Sequence, residues 1–62
     1  MKVRVKNIKK VGSTAVIEVE AEDGRGLTIG CGTDLVSDTD KLVELVKHHV
    51  RLQWDVEPEV EL

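Results

Sequence analysis

Charged and apolar side chains alternate over residues 2–11, with Lys2, Arg4 and Lys6 on one parity and Val3 and Val5 on the other. Residues 14–22 repeat the device, setting Ala15, Ile17, Val19 and Ala21 against Glu18, Glu20 and Glu22. A period of two sends successive side chains to opposite faces, the mark of a half-buried strand. Gly12-Ser13 lies between the runs, and a glycine opening a two-residue loop predicts a type II′ hairpin. Pairing outward from that turn sets Val11 opposite Thr14 and Ile8 opposite Ile17. Ile8 is even-numbered whereas Val3 and Val5 are odd, so one extra residue, a β-bulge near Lys6-Asn7, is needed to keep them on one face. Beyond the bulge Val5 faces Val19, and Lys6, Arg4 and Lys2 face Glu18, Glu20 and Glu22 as opposite-charge pairs.

The next turn signal is Asp23-Gly24-Arg25-Gly26, followed by an apolar run that predicts a third strand at about 26–31. A two-residue Asp-Gly turn would put Leu27 on the charged face. A three-residue loop instead sets Leu27 beside Ala21, Ile29 beside Val19 and Cys31 beside Ile17, so the apolar pattern selects it. A helix is predicted over about 38–51. Ser37 or Asp38 can cap it, with Asp40 completing a capping box from Ser37. Leu42, Leu45, Val46, His49 and Val50 share its apolar face, Val43 and Leu52 border it, and Lys41, Glu44, Lys47, His48 and Arg51 lie opposite. Alternation then returns, with Leu52, Trp54, Val56, Pro58, Val60 and Leu62 on one parity. This predicts a fourth strand at about 52–57, with Pro58 at an edge position or a fraying end. The element order is βββαβ. A basic first strand and an acidic last segment place strand 4 parallel to strand 1, giving an α+β two-layer fold: a mixed sheet of order 4-1-2-3 reached by a right-handed crossover, with one helix on one face.

At 62 residues the chain is read as a single domain, long enough to bury only about 60% of its unfolded surface, which excludes a deep enclosed active site. Its single cysteine, Cys31, cannot form an internal disulfide, and one Cys with two His is too few for a closed zinc site. Both points lead to the expectation of a cytoplasmic, reducing location. No apolar run approaches the roughly 18 residues of a membrane span, and none follows a basic leader. A net charge of −3 opposes a general grip on nucleic acid or anionic lipid.

Few residues are left to carry chemistry. His48 and His49 point about 100° apart on a helix, so one ion cannot easily take both. Cys31 and His49 fall at opposite ends of the helix, on the order of 15 Å apart, too far for a nucleophile–base pair. Gly30-Cys31-Gly32 completes neither a Rossmann nor a Walker pattern, and Asp34, Asp38 and Asp40 would repel a phosphate there. The same three Asp lack the EF-hand spacing and suit capping better. No catalytic, cofactor or metal residues are expected, and the chain reads as non-enzymatic. The binding candidates are Trp54, as a hot-spot anchor or stacking platform despite its core parity, His48 on the polar helix face, and Leu27 and Ile29 on a strand edge. That edge, from Leu27 to Cys31, or else an end of strand 4, is the surface expected to receive a partner protein by β-augmentation.

Two resemblances follow from these residues. The meander and helix over roughly residues 2–51 are similar in element order to the DNA-binding domains of the AP2 and integrase N-terminal kind, which lay a sheet in the major groove. The matching face positions are Lys2, Arg4, Lys6 and Thr28, but Glu18, Glu20 and Glu22 stand among them and would face phosphates, so nucleic-acid binding is not expected. The nearly unbroken parity, matched strand charges and capped helix resemble an idealised, computationally designed α/β mini-protein. That resemblance implies a self-contained folding scaffold that needs no partner and has no evolved ligand.

Overall fold

Gly12 adopts φ +61 while Ser13 stays at negative φ, and Val11 lies opposite Thr14. This is the one-glycine geometry of the expected type II′ turn. In the computed structural model, which describes residues 1–62, the turn joins β1 (Lys2–Val11) to β2 (Thr14–Ala21). Val5 and Asn7 take the consecutive partners Val19 and Glu18, leaving Lys6 as the bulged residue. The bulge restores the parity of Ile8, which faces Ile17, and Arg4 faces Glu20. It also alters one expected pair. Lys6 does not oppose Glu18, whose partner is Asn7; its ammonium reaches Glu20 at 3.8 Å, beside the 3.1 Å Arg4–Glu20 ion pair.

The strand β3 (Gly26–Gly32) pairs antiparallel with β2, and here the register differs from expectation. Leu27 faces Val19 rather than Ala21, Ile29 faces Ile17 rather than Val19, and Cys31 faces Ala15 rather than Ile17. The loop keeps three residues, but they are Glu22, Asp23 and Gly24, closed by the bond from Ala21 N–H to Arg25 O. Gly24 has φ +93, the left-handed conformation that a three-residue hairpin requires at its last loop position. Asp23 fixes the turn by accepting from the Arg25 backbone N–H at 3.1 Å and from its Nε at 2.8 Å. A slip of two residues leaves every side chain on its own face, so the apolar pattern accepts both registers and the turn chemistry decides.

A short helix, α1 (Thr33–Ser37), precedes α2 (Thr39–Trp54). Asp38 caps α2 by accepting from the N–H groups of Asp40 and Lys41. The Ser37–Asp40 capping box does not form, because the Ser37 hydroxyl donates back to Thr33 O at 3.0 Å and closes α1. The helix also runs three residues past the expected end at 51. Leu52, Gln53 and Trp54 belong to it, so the strand expected at 52–57 is displaced to β4 (Glu59–Glu61). Val46, Val50 and Trp54 continue a helical spacing of four through the segment that also alternates by two. The helix stops at Asp55, in the left-handed conformation (φ 52, ψ 44), whose N–H bonds Arg51 O.

The sheet order is β3-β2-β1-β4, with β4 parallel to β1 and Lys2, Val3 and Arg4 facing Glu59, Val60 and Glu61. The basic row of β1 is thus flanked by carboxylates on both sides. Leu42, Val46 and Val50 of α2 close over Val3, Ile17, Val19, Ala21 and Ile29, forming one core between helix and sheet. No helix is long and apolar enough to cross a membrane.

Candidate functional site

Position along β3 determines which of its polar groups the sheet uses. The bonds from Ala21 N–H to Arg25 O and from Thr33 N–H to Ser13 O both join odd-numbered residues across β2 and β3. An antiparallel ladder alternates bonded and non-bonded pairs. Leu27, Ile29 and Cys31 therefore bond inward to β2, while Gly26, Thr28 and Gly30 turn their N–H and C=O groups outward. No strand lies beyond β3. The same three residues also lie on the face away from the helix, where Thr28 opposes Glu18 and Gly30 opposes Val16.

Natural sheets blunt such an edge with charge, proline, brevity or a cover. Strand β3 has seven residues, Gly-Leu-Thr-Ile-Gly-Cys-Gly, without a charge or proline. The site residues expected on this edge, Leu27 and Ile29, share the helix-side face and differ in burial. Leu27 is half-buried, and Ile29 is 1% exposed, so its side chain belongs to the core and cannot touch a partner. What the edge offers is backbone, lined by glycine. A Cβ built on Gly30 would meet nothing within 4 Å, so the strand is unobstructed there.

The open face beyond this edge has two halves. Around Lys2, Arg4, Glu20, Glu22 and Glu61 lies a shallow concavity of about 430 Å³ in which both charge signs alternate. Val11, Thr14, Val16 and Gly30 make up the other half, near the first hairpin, with Lys9 opposite Val16 as its one charge; Val11 is 75% exposed.

The remaining candidates lie elsewhere and do not converge. Trp54 is a half-buried residue of the last helical turn, not the buried strand residue its parity suggested. The Arg25 guanidinium sits 4.8 Å from its ring centroid, a cation–π contact tying the β2–β3 loop to the helix end. Sequence reasoning missed Arg25 in this role; no spacing rule connects positions 25 and 54. His48 is exposed and meets His49 edge-to-face, with ring centroids 5.7 Å apart. Cys31 is a half-buried free thiol.

No family model matches the chain, and no curated protein or solved structure is detectably similar to it. The chemistry of the surface therefore carries the functional argument.

Two carboxyls have displaced titrations, both through hydrogen bonds. The Arg25 backbone N–H, helped by its side chain, holds Asp23 below the usual carboxylate range. Arg51 does the same to Glu57 through a bidentate contact of 3.0 and 2.6 Å, and its own guanidinium is raised in return. Both carboxyls are exposed and structurally engaged: Asp23 shapes the turn into β3, and Glu57 fastens the segment leading to β4.

Proposed function

We propose that the protein is a small, non-enzymatic interaction module that accepts an extended partner segment as an added strand on β3. The observation carrying this reading is the unguarded row of outward N–H and C=O groups at Gly26, Thr28 and Gly30. Main-chain bonds to such a row supply affinity, and alternate side chains of the added strand meet the two faces of the sheet. On the open face β3 itself presents only Gly26, Thr28 and Gly30, which suits apolar or hydroxyl side chains on the added strand. The free thiol of Cys31 suits a reducing compartment such as the cytosol.

A second reading, a self-contained scaffold of the designed kind without a ligand, is favoured by the match of Lys2 with Glu59 and of Arg4 with both Glu20 and Glu61. The readings separate on one titration. A solubilised peptide of alternating valine and threonine, added to isotope-labelled protein, is expected to shift the amide resonances of Gly26, Thr28 and Gly30 before any others. A flat titration at millimolar peptide would favour the scaffold. Duplex nucleic acid is not a partner in either reading, since Arg4 and Lys6 already share Glu20. Steeply salt-sensitive micromolar binding to random duplex would overturn both.

A further inference from the structure

We propose that the strand received on β3 is the β3 of a second copy of this chain, antiparallel, with Thr28 opposite Thr28. The inference rests on the strand-addition reading and names its partner. Residues 26–30 read Gly-Leu-Thr-Ile-Gly, nearly the same in both directions. A two-fold axis through Thr28 sets Gly26 against Gly30 and Leu27 against Ile29. Residues directly across a ladder share a face. On the helix side each half-buried Leu27 gains cover from the added strand, opposite an Ile29 already sealed in its own core, and the threonines meet on the open face as a favourable cross-strand pair.

The hydrogen-bond phase selects the same axis. Gly26, Thr28 and Gly30 hold the free groups, and this register faces each of them with another, exchanging two bonds per facing pair. Moving the axis to Leu27 would oppose Gly30 with Gly24, which is bent out of the strand at φ +93. Moving it to Ile29 would recruit Gly32, which is the N-cap of α1. Charge opposes the contact only weakly. The carboxylate nearest the seam is Glu18, opposite Thr28 on β2. Its two copies would stand three strand spacings apart, about 14 Å, beyond a Debye length of about 8 Å.

The symmetry also closes the assembly. Joining two β3 edges makes one eight-stranded sheet with both helices on the same side, and its outer edges are two copies of β4. Each of these is three residues long, acidic and preceded by Pro58. Association therefore stops at two copies instead of propagating into a fibre. So small an interface gives a weak dimer, with a Kd of about 10⁻⁴ to 10⁻³ M.

A charge swap at the self-facing position tests this, on a Glu18→Gln background so that the residue opposite Thr28 within the chain is neutral. By sedimentation equilibrium at millimolar protein, Glu18→Gln alone is expected to form dimers. Thr28→Lys and Thr28→Glu, each with an unchanged thermal melt, should weaken self-association at least about tenfold, because like charges then face each other across the axis. Mixing the two should restore the dimer. A monomeric parent, single variants that dimerise as well as the parent, or a mixture no better than its components would each overturn the proposal. If the parent is monomeric yet the valine–threonine peptide still shifts Gly26, Thr28 and Gly30, the strand-addition reading survives and only the second copy is wrong.

Discussion

The two edges of the sheet solve the same problem in opposite ways. At one edge β4 has three residues, two of them glutamates, and follows a buried Pro58. At the other, β3 has seven residues, three of them glycines, and no charge. Their attachments differ as well. β3 is held by a core residue, Ile29, and by the turn that Asp23 and Gly24 build. β4 has only the half-buried Val60 between its glutamates; the 2.6 Å Arg51–Glu57 ion pair and the bond from Glu59 N–H to Met1 O fasten it. The lesson is that firm anchoring and an open edge coexist in one strand. A surface meant to receive a partner strand must not itself fray, and β3 meets that condition while β4 closes the other side.

The largest expected effect tests the difference in anchoring. Ile29→Ala removes a fully buried side chain and should cost about 2–4 kcal/mol in urea denaturation. Val60→Ala, half-buried at the guarded edge, should cost about 1 kcal/mol. Equal losses at the two positions would break the comparison.

Next in size is Trp54→Ala. The ring is half-buried and covered by Arg25. About 1–3 kcal/mol is expected, below the 3–5 kcal/mol of a fully buried aromatic. Arg25→Ala should reproduce part of that loss and raise the exchange rates of the β2–β3 loop; an Arg25→Ala melt identical to the parent's would remove the loop tether from the account.

A smaller effect, opposite in sign, is expected at Gly30. Its Cβ position is empty, so Gly30→Thr should add about 0.5–1 kcal/mol by giving the strand a β-branched residue. Destabilisation there would mean that the edge is less open than its geometry shows.

Much of this architecture was legible in the sequence. Val11-Gly12-Ser13-Thr14 specified its hairpin, the even position of Ile8 after the odd Val3 and Val5 demanded the bulge, and the acidic tail facing Lys2 and Arg4 placed the last strand beside the first. The two largest misreadings have different reasons. The β2–β3 register failed because slips of two are invisible to a period-two pattern; only the left-handed requirement at Gly24 separates them. The helix end failed because residues 50–54 satisfy both periods: Val50 and Trp54 stack at four while Leu52, Trp54 and Val56 alternate at two. Leu52, 68% exposed, shows which period won. The open edge was legible as the run from Leu27 to Cys31. Which of its backbone groups point outward was not, since that depends on the register.

The mildest expected effect is acid sensitivity. Glu57 has a lowered folded-state pKa, so its pairing with Arg51 stabilises the fold fully above the unfolded Glu value of about 4.3 and is lost as pH falls through the lowered value. Asp23 acts in the same direction at the β3 turn. Thermal melts from neutral to acid pH should therefore decline below about pH 4.3, and Glu57→Gln should make that decline shallower. A variant with an unchanged acid profile would show that the ion pair does not secure the β4 segment.

Residue-resolved amide hydrogen exchange tests the central claim most directly, in dilute protein and again with saturating valine–threonine peptide. Alone, Gly26, Thr28 and Gly30 should exchange fast while Leu27 and Ile29 between them are protected, and the peptide should slow those three amides, leaving β4 unchanged. Protection of the three in the dilute protein, or peptide-induced protection confined to Glu59–Glu61, would contradict the assignment of β3 as the receiving edge.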